Sequence, residues 1–144
     1  MVKVNLDLII LTPLRKISVS GGDVLHALRH SDNGYIGFGE AYFSIIDYGV
    51  IKAWKLHQKM TLNLIVPFGE VRFVFISSDF TQRREECIGI SNYARLTVPP
   101  GIWFGFEGLV PPSSMLLNIS DIEHDSSEIQ RMDIDDFKQK FTSL

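Results

Sequence analysis

A lysine and a histidine two positions apart are the residues of this chain best suited to chemistry. Lys55 and His57 lie in the segment 50–57, VIKAWKLH, whose pattern is typical of a β-strand. Successive side chains of a strand point to opposite faces, so the two share a face with Ala53. The opposite face is expected to carry Lys52, Trp54 and Leu56.

Two interpretations of this pair remain open. In the first, both side chains line a cavity and transfer protons next to a carbonyl group. A lysine desolvated in an apolar barrel can have its pKa lowered toward neutrality, and histidine is the commonest general base. In the second, the strand face is exposed to solvent, Lys55 pairs with a carboxylate such as Glu40, and His57 is an ordinary satisfied polar residue.

The elements that must position these residues are predicted to be strands. Short apolar segments recur at about ten-residue spacing with turn residues between them, which favours an all-β sandwich or barrel. The segment 98–106, VPPGIWFGF, predicts a rigid turn that leads into an aromatic strand. Helices are predicted at 22–29, where apolar residues have helical spacing, and in the tail, where Asp125 and Asp133 are candidate N-caps.

Length and charge limit the classes of protein to consider. The 144 residues are enough for one domain, and the net charge of −3 argues against binding nucleic acid through phosphate neutralisation. No apolar run reaches the roughly 18 residues of a membrane span, and Asp7 interrupts the apolar start, which argues against a signal peptide. With Cys87 as the one cysteine, a cytoplasmic protein is expected.

Together, the segments 49–70 and 98–106 resemble a known family. Four motifs follow one another in these segments: a stretch that begins with glycine and contains a basic residue, a pair of polar residues two positions apart, a Gly-Glu-Val turn, and an aromatic strand that begins with Pro-Pro-Gly. This order is similar to that of the cupin superfamily, and most of all to the dTDP-4-dehydrorhamnose 3,5-epimerase family, over about residues 36–119. The resemblance implies an all-β jelly roll, or double-stranded β-helix. It implies a single domain over 1–144, with its core at about 36–119 and a helical tail at about 125–144.

The resemblance also implies a function. Enzymes of this family act on a nucleotide-linked 4-keto-6-deoxy sugar in carbohydrate and surface polysaccharide biosynthesis. They remove the protons next to the C4 keto group, at C3 and C5, and return them from the other face, without a metal or an organic cofactor. The implied partners are a nucleotide-sugar ligand and a second copy of the chain, because such proteins are usually homodimers in which an N-terminal segment crosses between subunits.

Several functional positions of the family carry other residues here. The family's arginine falls on Lys52, its catalytic histidine falls on Lys55, and the glutamine after that histidine falls on His57. The histidine that follows the Pro-Pro-Gly turn falls on Phe104. The base position therefore holds a lysine, with a histidine two residues further on.

The remaining groups of the family's mechanism are also replaced. The tyrosine that serves as the acid falls near Leu117, and the lysine that holds the enolate falls near Leu62, beside Asn63. No aspartate can be placed as the partner of the base. Of the usual metal-cupin ligands only His57 remains, which predicts that no metal is bound.

From these positions we predict Lys55 and His57 as the catalytic residues. We predict that substrate is bound by Lys52, Asn63, Arg72, Phe104 and Asn118. One alternative is a non-catalytic cupin that binds a sugar or nucleotide sugar, since base, acid and enolate-holding lysine are replaced. Another is a closed barrel that serves only in assembly, its interior filled by large side chains such as those of Phe104, Leu62 and Leu117.

Overall fold

The computed structural model describes residues 5–140 and consists mainly of antiparallel β-strands. The strands are β1 (Ile10–Pro13), β2 (Lys16–Ile17), β3 (Val24–Leu25), β4 (Glu40–Asp47), β5 (Ile51–His57), β6 (Leu62–Phe68), β7 (Glu70–Ser77), β8 (Arg83–Gly89), β9 (Ala94–Val98), β10 (Ile102–Gly108), β11 (Ser113–Ser120) and β12 (Ile129–Arg131). Short 3-10 turns occupy Leu6–Leu8 and Ser126–Glu128, and the helix α1 covers Ile134–Lys140.

The strands form two five-stranded sheets that pack face to face. The first sheet has the order β1-β9-β6-β11-β4, the second has the order β12-β5-β10-β7-β8, and β2 pairs with β3 separately. Because consecutive strands of the chain repeatedly change sheets, this is the predicted jelly roll, which is thereby confirmed. Its first strand, β1, lies outside the predicted core of about 36–119.

The core lies between the inward faces of the two sheets. Leu64, Leu96 and Leu116 of the first sheet pack against Phe73 and Phe75 of the second, and all are buried. Such side chains supply most of the favourable free energy of folding by leaving water. Phe104 and Leu62 also belong to this core, as the closed-barrel interpretation expects. Leu117 does not: it pairs with Phe43 on the outward face of the first sheet.

A bulge in β5 changes which of its side chains face inward. Phe104 of β10 lies opposite Lys55, but Phe106, two residues on, lies opposite Lys52, three residues back. The extra residue puts Lys52 on the same face as Lys55, which corrects the expectation from strict alternation. Gly105 fits the bulge because a Cβ there would lie 2.5 Å from that of Ala53.

The tail is only partly helical, which corrects the prediction for 125–144. Asp125 accepts the backbone N–H of Ser127 at 3.0 Å and begins a 3-10 turn, after which residues 129–131 form β12 along the edge of β5. The second predicted cap is confirmed, since the Asp133 carboxylate accepts the N–H of Asp136 at 2.7 Å at the start of α1. Residues 141–144 lie outside the described range.

Helix α1 covers the outer face of the second sheet. Phe137 is completely buried and stacks on Trp54 with ring centroids 4.2 Å apart, next to Trp103. Trp54 thus points away from Lys55, as predicted, and joins a second core between helix and sheet. The two faces of β5 therefore have separate roles: one holds α1 and the other faces the interior.

Replacing Phe137 by alanine should destabilise the protein by about 3–5 kcal/mol, the usual cost of removing a buried phenyl ring. Chemical unfolding followed by tryptophan fluorescence measures this, because the ring lies against Trp54 and Trp103. Phe137→Leu is the matched control and should lose much less. Equal unfolding midpoints for Phe137→Ala and the wild type would show that α1 does not stabilise the sheet.

The segment 22–29 is not a helix, contrary to the prediction. Val24 and Leu25 form β3, and the chain then crosses the outer face of the first sheet. Arg95, fully buried on β9, fixes this crossing by donating to the carbonyls of Ala27 at 2.8 Å and Asn33 at 3.0 Å. These long-range contacts outweigh the local helical spacing.

Among residues 5–140, none of the helices has the length and apolar character needed to cross a membrane.

Candidate functional site

A cavity of about 690 Å³ opens between the edges of the two sheets. One wall is β4, the last strand of the first sheet, and the other wall is β5 with its neighbours β10 and β12. The volume lies within the range of pockets that hold small molecules. Side chains from both walls line it, among them Tyr42, Ser44, Lys52, Lys55, Phe104, Phe106 and Arg131.

His57 ends β5 next to Phe104, which lines the cavity, and it forms a pair with Glu128. Its Nδ1 lies 2.6 Å from Oε2 of Glu128, and its ring is nearly parallel to that of Phe104 at 6.1 Å. The other oxygen of Glu128 accepts the backbone N–H groups of Lys59 and Met60, both at 2.9 Å. Only 1% of Glu128 is exposed, so its carboxylate is held by these three bonds.

The environment fixes the protonation states of the pair. Burial would raise the pKa of Glu128, but the hydrogen bonds from His57 and from the two backbone groups outweigh it and hold that pKa below its usual value. Burial lowers the pKa of His57, although the bond to Glu128 opposes this. At neutral pH the pair is therefore a carboxylate and a neutral imidazole whose Nδ1 donates the hydrogen bond.

The remaining nitrogen of His57, Nε2, is not held by any residue between 5 and 140. Within the described chain, every buried side-chain nitrogen and oxygen makes a hydrogen bond. Nε2 of His57 makes none. Nε2 is therefore not completely buried, although His57 as a whole is only 7% exposed. A neutral imidazole oriented by a buried carboxylate, with its second nitrogen accessible, is the arrangement of a general base.

Three cations line the cavity beside this pair. Lys55 and Arg131 lie directly opposite each other on β5 and β12, and the bulge brings Lys52 to the same face. Lys55 is half-buried, whereas Lys52 and Arg131 are exposed nearer the mouth. Burial lowers the pKa of Lys55, and the charges of Arg131 and Lys52 add to this, with Glu128 acting in the opposite direction.

The opposite wall carries a tyrosine. Tyr42 on β4 lines the cavity together with Ser44, on the face of the strand that also bears the buried Ile46. Burial, together with the charge of Glu40, raises the pKa of the Tyr42 phenol, so the phenol stays protonated at neutral pH. The cavity thus has a protonated phenol on the first sheet, opposite Lys55 and Phe104 on the second.

The predicted site residues separate into two groups. Lys52, Lys55 and Phe104 line the cavity, and His57 lies beside Phe104 on the same inward face. Asn118 also points inward, on β11, and its amide lies 3.5 Å from the Ser44 hydroxyl, behind the wall that carries Tyr42.

The other two predicted binding residues lie away from the cavity. The Asn63 side chain is buried on the outer face of the first sheet, where it accepts the Thr97 hydroxyl at 2.6 Å and donates to the Gly34 carbonyl at 3.0 Å. Arg72 lies on the outer face of the second sheet and is paired with Glu107 at 2.6 Å. Both side chains are held by the protein itself, so we do not retain them as binding residues.

Three residues of the site were missed from the sequence. Glu128 matched a capping pattern with Asp125, but its side chain instead reaches His57, 71 positions earlier in the chain. Neither Tyr42 nor Arg131 is among the residues predicted from the sequence. Alternation on a predicted strand could have placed Tyr42 inward, whereas the pairing of β12 with β5 has no local signal.

Among residues 5–140, no cluster of three or more histidine, cysteine, aspartate or glutamate side chains is arranged to hold a metal ion.

Comparison with known proteins adds independent information. No protein-family model and no curated protein matches the chain. Among solved structures, a dTDP-sugar isomerase from Desulfovibrio desulfuricans is 32% identical with a TM-score of 0.85, over 90% of this chain and 86% of that one.

Two more distant structures share the fold. A sugar 3,4-ketoisomerase from Thermoanaerobacterium thermosaccharolyticum, in complex with TDP, is 16% identical with a TM-score of 0.75, over 96% of this chain and 97% of that one. A dTDP-6-deoxy-D-glucose-3,5-epimerase from Legionella pneumophila, in complex with dTDP-4-keto-L-rhamnose, is 14% identical with a TM-score of 0.79, over 97% of this chain and 80% of that one.

Proposed function

The chain belongs to the cupin family of dTDP-sugar isomerases and epimerases, and we propose that it removes a proton next to the C4 carbonyl of a nucleotide-linked 4-keto-6-deoxy sugar. The observation that carries this proposal is the buried pair of His57 and Glu128, with Nδ1 bonded to the carboxylate and Nε2 accessible. No acidic partner of the base could be identified from the sequence, and Glu128 is a candidate for that partner. This pair favours catalysis over the non-catalytic alternative.

The cations of the cavity indicate how the substrate is oriented. Lys52 and Arg131, exposed near the mouth, are suited to the diphosphate, since ammonium and guanidinium groups both bind phosphate oxygens. The sugar would then lie deeper, against Phe104 and beside Lys55 and His57. In this orientation Nε2 of His57 takes the proton while Lys55 acts on the carbonyl group.

Tyr42 makes inversion of a carbon centre chemically reasonable. An epimerase returns the proton from the face opposite the base, and the protonated phenol of Tyr42 lies on the opposite wall of the cavity. The acid would thus come from β4 rather than from the position near Leu117 that the family's pattern indicates. We therefore favour an epimerase over a ketoisomerase.

The function is tested by incubating the protein with dTDP-4-keto-6-deoxyglucose in deuterated water and following C3 and C5 by NMR. We expect deuterium at one or both carbons, together with an inverted product. The matched variant Tyr42→Phe should still incorporate deuterium but form less of the inverted product. A wild-type protein that binds the nucleotide sugar and leaves both protons in place would establish the non-catalytic alternative instead.

We also propose that the protein is a homodimer formed through the outer face of the first sheet. There Phe43 and Ile45 on β4 are 62% and 50% exposed, and their partners across the sheet are the half-buried Leu117 and Met115. A contiguous apolar face of this kind marks an interaction surface. The exposed thiol of Cys87 is compatible with a cytoplasmic protein.

Phe43→Glu should convert this dimer to a monomer, because each copy would place a carboxylate in an apolar interface. Light scattering after size exclusion measures the mass of the particle. Ile90→Glu is the matched control, since Ile90 is similarly exposed but lies in the turn between β8 and β9. A wild-type monomer at micromolar concentration, or a dimer unaffected by Phe43→Glu, would contradict the proposal.

A further inference from the structure

We propose that Lys55 acts covalently: its amine forms an imine with the C4 carbonyl of the sugar, and His57 removes the neighbouring proton from this adduct. The inference rests on the proposed function, because it requires a ketone in the cavity. It goes further by assigning Lys55 the role of a nucleophile, which the resemblance to 3,5-epimerases does not imply.

The Lys55 amine has no partner within the described part of the chain. It makes no hydrogen bond and no ion pair with any residue between 5 and 140, although it is half-buried. The nearest buried carboxylate, that of Glu128, is already bonded to His57 and to two backbone N–H groups. A lysine with a purely structural role would normally be paired at this depth, since unpaired buried charge is costly.

The surroundings of Lys55 favour the neutral, nucleophilic amine. Arg131 is its direct partner across the strand pair, and the bulge brings Lys52 to the same face, so two positive charges lie beside it. Like charges directly opposite each other in a sheet are destabilising. Desolvation and a second cationic group are the conditions that activate lysines toward carbonyl carbons.

The proposed steps balance without any further reactant. The amine lone pair forms a bond to C4, and the carbonyl oxygen takes one proton from that nitrogen and one from solvent and leaves as water. A protonated imine remains on Lys55. Nε2 of His57 then takes the proton from the adjacent carbon, and the electron pair moves to the imine nitrogen to give a neutral enamine. Return of a proton to that carbon and addition of water release the ketone and the lysine.

This chemistry has a consequence for the reaction that can occur. While nitrogen is bonded to C4, the oxygen of the ketone is absent, so C4 cannot become the alcohol carbon of a 3-keto product. Lys55 catalysis is thus compatible with exchange or inversion at C3 and C5 and incompatible with migration of the ketone to C3.

The test is trapping with sodium cyanoborohydride in the presence of dTDP-4-keto-6-deoxyglucose. We expect the intact protein to gain the mass of the nucleotide sugar less one oxygen atom, and peptide mapping to place the addition on Lys55. Excess dTDP should prevent it. Lys55→Arg keeps the charge but cannot form the imine, so this variant should show no adduct and should lose deuterium incorporation. Lys138→Arg, on the exposed side of α1, is the control and should trap like the wild type.

Each result decides between the two proposals. A wild-type protein that incorporates deuterium but forms no adduct at Lys55 overturns this inference and leaves the proposed function intact, as does a Lys55→Arg variant with wild-type exchange. A 3-keto product also overturns it. If the wild type neither exchanges protons nor forms an adduct, the proposed function itself fails.

Discussion

Replacing His57 by asparagine should reduce proton exchange at the sugar by about 10²–10⁴-fold in kcat, the usual contribution of a positioned general base. Asparagine is close in size and can still donate to Glu128, so the buried carboxylate keeps a partner. It has no basic nitrogen, so it cannot accept the proton. Because His57 is not assigned to the diphosphate, KM should change little.

The measurement is solvent deuterium incorporation under saturating dTDP-4-keto-6-deoxyglucose. His124→Asn is the matched control, since His124 is exposed and lies outside the cavity. It should exchange at the wild-type rate. Wild-type exchange in His57→Asn would assign the base elsewhere, and the first place to look would be Lys55.

Replacing Glu128 by glutamine should have an effect of similar size, about 10²–10⁴-fold in kcat, without changing the volume of the site. The glutamine oxygen can still accept the N–H groups of Lys59 and Met60, which directs the amide –NH₂ toward His57. Facing a donor, Nδ1 must become an acceptor, and the proton moves to Nε2. The nitrogen that should act as the base is then occupied.

The dependence on pH separates this role from a purely structural one. In the wild type, kcat/KM should fall on the acid side as His57 gains a proton, through a pKa below the ordinary value of 6.5. The negative charge of Glu128 stabilises the imidazolium, so its removal should lower the pKa of His57 and move the acid limb to lower pH. Glu128→Asp keeps the charge and should keep the limb closer to that of the wild type. If the acid limb of the kcat/KM profile lies at the same pH in Glu128→Gln as in the wild type, the carboxylate only supports the fold.

The strand alternation predicts correctly that Lys55 and His57 share a face, and the family resemblance was needed to predict that this face points inward. The same alternation was wrong for Lys52, because the bulge opposite Gly105 adds one residue to β5. A bulge is set by the neighbouring strand, here by the absence of a side chain at Gly105, so one strand's own pattern does not reveal it. The apolar segments that favoured a sandwich include β6, where every side chain from Leu62 to Val66 is buried.

The partner of the base was the largest omission. Glu128 lies three residues after Asp125, a spacing that favours a capping box, and the Asp125 half of that pattern is present. The carboxylate of Glu128 is instead directed inward by the pairing of β12 with β5, which joins residues 72 to 76 positions apart. The side chain of Asn63 shows the converse case. It lies next to the position of the family's enolate-holding lysine, so we predicted that it binds substrate. In the structure its amide is instead hydrogen-bonded to Arg95, Thr97 and Gly34.

The state of the His57 imidazole in the free protein tests the base assignment most directly. Nitrogen-detected NMR of histidine-labelled protein distinguishes the two neutral tautomers and the imidazolium, and His57→Asn assigns the signal. The pair with Glu128 predicts a neutral ring at pH 7 that carries its proton on Nδ1 and becomes charged only below pH 6.5. A ring protonated on Nε2, or an imidazolium that persists at pH 7, would leave His57 without a free basic nitrogen and contradict its role as the base.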